Sequence, residues 1–345
     1  MTCQGHSGSK VAIYKRLERV EDLLLKAARS DEITRIAAIE NRLRKLMRGT
    51  WMARVKKAVD KTLPMFEKDA SLGDIMEVVD GIFGDWSDEV LDTYLEGVEQ
   101  TYKLARDAGF KKASGKMKRS LQYNQEEAAA EKEDVQKAKA TAKPVLGVKD
   151  KKAIEALRRH ETFWIGDLYG TRVQRAIRGA SKEVLEAGGA GEMGRDKLRE
   201  KLERVMERVE SPEGYVGTAS SYLEGVVNNA VTVSRVQGQL RSFEELNIQQ
   251  YVIVNPIDER TCEVCSHMDG KTFSVSKGIQ AVEEEVDAKT PDDVADIHPW
   301  LNPEKLLDIS PKAGDSGASD SDALMAEGFS MPPFHLNCRC TVDMV

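Results

Sequence analysis

The amino-acid sequence predicts a mainly α-helical protein with a small C-terminal α+β module, built from long amphipathic helices and a short sheet closed by a Cys/His knuckle pair. Three observations lead to this fold class. Apolar residues recur at intervals of three and four over most of the chain before Asn247, which is the period of a helix with one buried face. A β-branched run follows near residue 250, and two short Cys/His clusters come after it.

The chain begins with one or two long amphipathic helices. Between Val11 and Lys61 the apolar residues follow helical spacing, and no proline occurs before Pro64. A further helix is predicted around residues 90–98, where the apolar residues share one face. These helices make up the N-terminal part of the chain.

Two basic clusters lie in this N-terminal part. The first includes Arg42, Arg44, Lys45, Arg48, Arg54, Lys56 and Lys57. The second includes Lys103, Arg106, Lys111, Lys112, Lys116, Lys118 and Arg119. Such clusters are either solvated helix faces or contact surfaces for DNA phosphates or an acidic protein. Because no groove-reading motif accompanies them, contact with nucleic acid would be unspecific in sequence.

The composition changes between Gln122 and Lys143, a stretch rich in Ala, Glu and Lys with almost no large apolar residue. This composition is typical of a solvent-exposed helix or connector. We therefore divide the chain into a helical N-terminal region at 1–148, a second helical region at 149–247 and a C-terminal α+β module at 248–345.

The second region is predicted to be helical throughout. Helices are expected at 150–187, 198–209 and 218–246, because each stretch carries apolar residues at helical spacing. The glycines at 188–194 separate the first two helices, and Pro212 lies beyond the end of the second.

The C-terminal module combines strands with an acidic insert. The run QYVIVN at 250–255 predicts a central strand, and an Asp-Gly turn signal at 269–270 precedes a second strand at 271–275. Residues 341–345 are predicted to form a third strand. The segment at about 280–328 is acidic and contains a low-complexity run, so we predict a flexible surface insert there.

Bulk composition limits the class of protein. The chain has 345 residues, enough for one large core or two to three smaller ones, and its net charge of -7 argues against a general nucleic-acid coat. No run approaches the roughly 20 apolar residues of a membrane span, and the start lacks the apolar core of a secretory signal. We therefore expect a soluble protein made in a cytosol, where scarce, clustered cysteines favour metal binding over disulfides.

Four of the five cysteines and one of the five histidines form two clusters, Cys262-x-x-Cys265 and His335-x-x-Cys338-x-Cys340. Tetrahedral zinc takes four such ligands, so five candidates compete for four positions. Our first choice is Cys262, Cys265, His335 and Cys338, with Cys340 as the substitute. Four protein ligands leave no open position for water, which predicts a structural zinc site. The alternative is a small hydrogen-bonded core without metal.

Sequence signatures of an active site are mostly missing, so we do not expect an enzyme. His160-Glu161 lacks the second histidine of a zincin motif, and the glycines at 188–194 follow a helix rather than a strand. His298 lies in the acidic insert without a recognisable partner, and we interpret it as a loop histidine. Redox chemistry at the Cys-x-x-Cys pair would need a thioredoxin-like βαβ context, which the sequence does not predict.

Two segments of the C-terminal module carry a family resemblance. DERTCEVCSHMDGKTF at 258–273 and PPFHLNCRCTV at 332–342 follow a long helix and a strand, in the same order as in the family. Together they resemble the signature of the phage minor head protein family, the head-morphogenesis family that includes the F protein of phage Mu. The resemblance covers about 149–345. The first 148 residues carry no motif of this family, and the insert before Pro332 is longer than is usual in it.

The resemblance implies a minor capsid protein of a tailed phage, made in the bacterial cytoplasm and located in the virion at the portal vertex. It implies roles in head assembly and in packaging or delivery of the genome, with the portal protein as partner. Further partners that it allows are the major capsid or scaffolding protein and the packaged DNA, and no membrane is expected. Two alternatives stay open: a zinc-stabilised nucleic-acid-binding module and, third, an enzyme of unknown activity.

Overall fold

The computed structural model describes residues 7–68, 70–123, 146–167, 178–179, 182, 199–200, 203–204, 208–210, 216–316 and 319–345. The protein is mainly helical, with a small three-stranded antiparallel sheet near the C-terminus and the Cys/His cluster nearby. The predicted fold class is therefore confirmed. Within these residues, none of the helices combines the length and the apolar character that a membrane crossing requires. Most of the predicted connector, at 124–145, and the glycines at 188–194 lie outside the described residues.

Three helices come first: α1 (Ser7–Glu67), α2 (Leu72–Phe83) and α3 (Trp86–Tyr123). The N-terminal amphipathic pattern thus forms one helix, which continues through Pro64 in its last turn. Ser71 caps α2, since its side chain accepts a hydrogen bond from the backbone N–H three residues later. The connections between these helices are short, and α2 and α3 both pack against α1.

An aromatic cluster joins these three helices. The ring centroid of Trp51 lies 4.8 Å from that of Phe83 and 5.0 Å from that of Trp86, and all three rings are buried. The indole nitrogen of Trp86 donates a hydrogen bond to Thr50 Oγ1 at 3.0 Å, so its one polar atom is paired. Burial of each ring contributes about 1.5–3 kcal/mol.

Helix α4 (Val148–Asp167) precedes a long helix, α5 (Ala219–Glu245), which is buried along most of its length and packs against α1, α3 and α4. The prediction of a helix at 218–246 is confirmed to within one residue at each end. At Gly238 an added Cβ would lie 2.6 Å from the carbonyl oxygen of Tyr102. Glycine is needed there because the backbones of α5 and α3 touch.

The boundary predicted near residue 148 does not separate two cores. One cluster of buried side chains includes Leu43 of α1, Tyr94 of α3, Leu157 of α4 and Val227 of α5. A second cluster joins Phe110 of α3 to the C-terminal sheet. An amphipathic stripe shows that a helix has a buried face, but it does not show which part of the chain covers that face.

The predicted helix at 198–209 is wrong at its end. Arg208–Glu210 is a strand, β1, which pairs antiparallel with β2 (Val216–Thr218), so that Val209 lies opposite Gly217. A segment of three residues is shorter than one helical turn. Its apolar pattern therefore cannot distinguish a strand from the last turn of a helix.

The C-terminal sheet has the order β4 (Thr272–Ser274), β3 (Gln250–Val254) and β5 (Thr341–Met344), with both pairings antiparallel. The prediction that the run beginning at 250 forms the central strand is confirmed. The predicted Asp-Gly turn is present just before β4, where Gly270 has a φ of +76°. Between β3 and β4 lies a short helix, α6 (Glu263–Met268), which carries the first Cys cluster.

The prediction of a flexible surface insert at 280–328 is wrong in the part of it that is described. This segment contributes α7 (Val275–Asp287), α8 (Pro291–Ile297), α9 (Pro303–Ser316) and α10 (Asp320–Ala326). Its apolar side chains belong to the second core: Ile279, Val282, Leu301, Leu306, Ile309 and Leu324. The acidic residues occupy mostly exposed positions, so the average composition concealed an apolar stripe.

Glu161 in α4 is a buried carboxyl group, and its Oε2 accepts a hydrogen bond from Tyr94 Oη at 2.8 Å. Burial raises the pKa of Glu161 from 4.5 to about 7, although the hydrogen bond from Tyr94 lowers it. Because the unfolded chain keeps the ordinary pKa, the folded state binds more protons between pH 4.5 and 7. The contribution of Glu161 to stability is therefore complete below pH 4.5 and is lost as the pH rises through 7.

We expect Glu161→Gln, which cannot ionise, to raise the free energy of unfolding by about 3 kcal/mol at pH 8 and to change it little at pH 4. Denaturant unfolding at the two pH values measures this difference. Glu155→Gln is the matched control, since Glu155 is exposed on the same helix. An effect of Glu161→Gln of the same size at both pH values would show that the carboxylate does not ionise in this range.

Candidate metal centre

The first Cys cluster lies at the start of α6. Cys262 is the N-cap residue, and its Sγ accepts a hydrogen bond from the backbone N–H of Cys265 at 3.4 Å. Cys265 lies in the first helical turn and is buried, whereas Cys262 is exposed. The Cys-x-x-Cys spacing therefore places both sulfur atoms on one side of the helix start.

The second cluster is a tight turn that begins at His335. The backbone N–H of Cys338 donates to the carbonyl oxygen of His335 at 3.1 Å, and Asn337 within the turn has a φ of +65°. Nδ1 of His335 donates to the carbonyl oxygen of Leu336 at 2.7 Å. Because a carbonyl oxygen can only accept, Nδ1 is the donor in this contact, and Nε2 is the ring nitrogen that faces the cysteines.

The two clusters meet at Cys265. Nε2 of His335 lies 3.1 Å from the sulfur of Cys262 and 2.9 Å from that of Cys265, and the sulfurs of Cys265 and Cys338 are 3.8 Å apart. Cys340 joins Cys265 and Cys338 in a second group whose ligand atoms all lie within 4.8 Å of one another. A tetrahedral ion with bonds of about 2.3 Å to sulfur and 2.0 Å to nitrogen needs ligand separations of roughly 3.5–3.8 Å.

Helix α5 holds the second cluster in place. Asn228 Nδ2 and Thr232 Oγ1 both donate to the carbonyl oxygen of Cys338, at 3.0 Å and 3.1 Å. One turn earlier, a Cβ added at Gly225 would lie 2.8 Å from a methyl group of Leu336. The missing side chain of Gly225 thus makes room for Leu336, and the two polar side chains fix the backbone beside it.

A bidentate ion pair links the two clusters directly. The guanidinium of Arg339 donates from its two terminal nitrogens to the two carboxylate oxygens of Asp258, at 2.8 Å and 2.6 Å. This pairing holds the pKa of Asp258 well below its usual range. The neighbouring Arg260 lies 3.8 Å from the same carboxylate, so Arg339 is its main partner. Because the loop before Cys262 is bonded to the residue after Cys338, the two clusters are held together.

The three buried thiols, those of Cys265, Cys338 and Cys340, differ in pKa. Hydrogen bonds from Cys265 and then Cys340 lower the pKa of Cys338 against the opposing effect of burial. The hydrogen bond with Cys338 raises the pKa of Cys265, although that with Cys340 lowers it, and the hydrogen bonds with Cys265 and Cys338 raise the pKa of Cys340. Cys338 is therefore the thiol that ionises first. Further deprotonation of this group requires a compensating positive charge, which a bound cation supplies.

His298 lies close to this centre, although the sequence analysis interpreted it as a loop histidine without a partner. Its Nδ1 lies 2.8 Å from Glu285 Oε1 and its Nε2 lies 2.6 Å from the carbonyl oxygen of Met331. Each ring nitrogen therefore faces an oxygen atom that can accept a hydrogen bond. Burial lowers the pKa of His298, but the hydrogen bond and charge of Glu285 outweigh it and raise the pKa. Gln237 of α5 completes the network by donating to Glu285 at 2.8 Å.

The basic residues predicted on α1 divide into two groups. Arg54 is largely buried and donates to the carboxylates of Asp85 and Glu89, and Arg44 pairs with Glu40. These two arginines therefore act within the fold. The remaining five predicted residues are exposed: Arg42, Lys45, Arg48, Lys56 and Lys57. We refer to these five as the basic face of α1.

The structure thus brings together all five residues that the sequence predicts as metal ligands: Cys262, Cys265, His335, Cys338 and Cys340. They form two groups of three, Cys262-Cys265-His335 and Cys265-Cys338-Cys340, which share Cys265, and thiol and imidazole donors of this kind could hold a metal ion. Sequence reasoning did not identify Asn228, Thr232 and Arg339 as residues that orient the ligands. Comparison of the chain with protein-family models, with curated proteins and with solved structures gave no match.

Proposed function

We propose that this protein is a minor capsid protein of a tailed phage, acting in head morphogenesis and bound to the portal vertex of the virion. One observation carries the proposal. The two segments that together resemble the head-morphogenesis signature are bonded to each other by Asp258 and Arg339, and their Cys/His residues form two groups that share Cys265. Two short motifs that contact each other in the fold support a common origin with the head-morphogenesis family more strongly than two motifs at separate places would.

We also propose that the centre holds a structural zinc ion bound by Cys262, Cys265, His335 and Cys338. Zinc prefers tetrahedral sets of thiolate and imidazole ligands. Cys340, buried against this set, remains the substitute ligand. Four protein ligands would close the site to substrate, so the ion would stabilise the module, and we propose no enzymatic activity.

The basic face of α1 is the surface that we propose for contact with the portal. Lys45 and Lys56 take part in no ion pair within the described residues. Exposed ammonium groups of this kind steer association with an acidic surface and weaken it as salt rises. The metal centre would then keep the C-terminal module folded, while α1 supplies the contact.

Co-expression with the portal protein of the same genome tests this proposal. We expect the chain to sediment with the portal ring at low salt. Replacing Lys45, Lys56 and Lys57 together with glutamine should reduce the co-sedimenting fraction several-fold, because three exposed charges are removed from the proposed surface.

The matched control for this experiment removes the same charge elsewhere. Lys151, Lys152 and Lys277 are also exposed, and their replacement with glutamine should leave co-sedimentation unchanged. Failure of the folded, zinc-loaded protein to travel with the portal would overturn the capsid proposal. An equal loss in both triple variants would reject α1 as the contact surface but not the portal association.

A second candidate function is contact with nucleic acid, and the same basic face favours it. Phosphate contacts need only well-placed positive charge and lose affinity steeply as salt rises. Titration of a duplex DNA with the full chain at 50 mM and 200 mM salt would reveal such binding, in a range where several phosphate contacts change affinity by orders of magnitude. Absence of binding at the lower concentration would reject the nucleic-acid-binding module.

A further inference from the structure

A half-open cavity of about 100 Å³ lies where α1, α3 and α5 meet β5. Among the residues whose side chains the structure describes, no Cys or His lines it, so it is separate from the metal centre. The same described residues place four carboxylates and four basic side chains around the cavity, and each carboxylate pairs with one base, as Asp343 does with Lys112. The charges around this cavity therefore balance.

The most buried pair in the cavity is Arg235 and Glu32, with side-chain exposures of 16% and 6%. Nε of Arg235 donates to Glu32 Oε1 at 3.0 Å, and Nε2 of Gln239 approaches the same oxygen at 3.5 Å. Gln239 is itself held by Thr341, whose hydroxyl donates to its Oε1 at 2.9 Å. Both members of the pair are thus fixed by α1, α5 and β5.

Hydrogen-bonding capacity is left over at this pair. Among the described residues, neither terminal nitrogen of Arg235 has a hydrogen-bond partner, and Glu32 Oε2 has none either. The cavity therefore presents a fork of N–H donors beside a carboxylate acceptor. A complementary group must both accept and donate hydrogen bonds.

That group should also carry no net charge. A carboxylate or an ammonium would add an uncompensated charge to a partly buried site whose own charges cancel, which is unfavourable. A carboxamide meets both conditions, since its oxygen can accept from the guanidinium while its N–H donates to the carboxylate. We propose that this cavity binds a carboxamide group of a partner chain, from an Asn or Gln side chain or from a peptide bond.

The size of the cavity agrees with this ligand. Its volume is below the roughly 150 Å³ that accommodates benzene in an apolar protein cavity, so it can hold the end of one side chain but not a nucleotide. The inference does not depend on the proposed capsid function, because it rests only on the geometry around Arg235 and Glu32.

Ligand-observed NMR titration of the full chain with four small probes tests the proposal. Propionamide represents an Asn or Gln side chain and N-methylacetamide represents a peptide bond, while propionate and propylammonium are charged molecules of similar size. We expect saturable binding of at least one amide in the millimolar range, and binding of both charged probes weaker by about tenfold. Propionamide alone would indicate a side-chain amide, and saturation by N-methylacetamide would indicate a peptide bond.

Two variants locate the binding. Arg235→Lys keeps the charge but removes the planar fork, so amide binding should weaken about tenfold. Ala108→Leu adds side-chain volume to the cavity from α3 and replaces neither member of the ion pair, and it should abolish binding even if Arg235→Lys proves too unstable to use. Arg48→Lys, an identical change at an exposed site on α1 outside the cavity, is the matched control and should bind as the native chain does.

Three results would overturn the proposal. The first is no saturable binding of either amide up to the solubility of the probes. The second is binding of propionate or propylammonium as tight as that of the amides, which would show that the charge balance does not select the ligand. The third is unchanged amide binding in folded Ala108→Leu, which would place the amide outside this cavity.

Discussion

Replacing Cys338 with serine is expected to remove the proposed zinc ion and to unfold the C-terminal module at a lower temperature than the rest of the chain. Cys338 is buried, is the thiol that ionises first, and is held by Asn228 and Thr232 through its carbonyl oxygen. Structural zinc contributes on the order of 10 kcal/mol to the folding of small modules, so loss of the ion exceeds the effect of most single substitutions. Mass spectrometry of the native protein measures the zinc content, and calorimetry measures the melting.

Cys340→Ser is the matched control, since Cys340 is equally buried and lies two residues away. If the ligands are Cys262, Cys265, His335 and Cys338, this variant should keep one zinc per chain and melt close to the native temperature. Loss of zinc from Cys340→Ser but not from Cys338→Ser would reverse the assignment of the fourth ligand. A native protein that contains no zinc and melts at an unchanged temperature with a chelator would reject the metal centre.

Replacing Asp150 with alanine should have the second-largest effect, lowering the free energy of unfolding by about 3–5 kcal/mol. Asp150 accepts a hydrogen bond from Arg106 Nε at 3.0 Å, and the side chains of both residues are only 5% exposed. Tyr102 Oη donates to the same carboxylate at 2.8 Å. Without Asp150, a buried guanidinium keeps, among the described residues, only Ser242 and the more exposed Glu245 as side-chain partners.

Asp60→Ala is the control for this prediction. Asp60 pairs with Arg199 at 2.8 Å, but its side chain is 47% exposed, so its removal should cost no more than about 1 kcal/mol. Denaturant unfolding of the two variants gives the comparison. The double variant Arg106→Met, Asp150→Leu should recover much of the loss, because it leaves no unpaired buried charge. Equal destabilisation by Asp60→Ala and Asp150→Ala would show that burial does not govern these pairs.

The candidate metal ligands could be predicted because the ligand residues of each cluster lie close together in the chain and form a recognisable motif. Cys262 and Cys265 define one cluster, and His335 and Cys338 define the other, so each is visible in a window of four residues. The residues that orient them could not be predicted in this way. Asn228 lies 110 positions from Cys338, and no local pattern signals such a contact.

The helices of the acidic insert did leave a local signal in the sequence, but the prediction of a flexible insert did not use it. Leu306 and Ile309 are spaced for one helical face, and Thr290 and Ser319 each stand three residues before an aspartate in a capping pattern. The acidic composition of the segment led to the prediction of a flexible insert, although these residues indicated helices. Helix starts and apolar spacing are better guides than composition when a segment is both charged and periodic.

Local patterns in the chain were sufficient to predict the helical class of this protein, the extent of α5, the central position of β3 and the five candidate ligands. Each of these depends on residues that are neighbours in the chain, where period and spacing follow directly from backbone geometry. The tertiary structure alone decided that α3 serves two cores, that Arg339 pairs with Asp258, and that Arg235 and Glu32 share a cavity. These contacts join distant parts of the chain, and they arise because buried faces and charges must find partners when the helices pack.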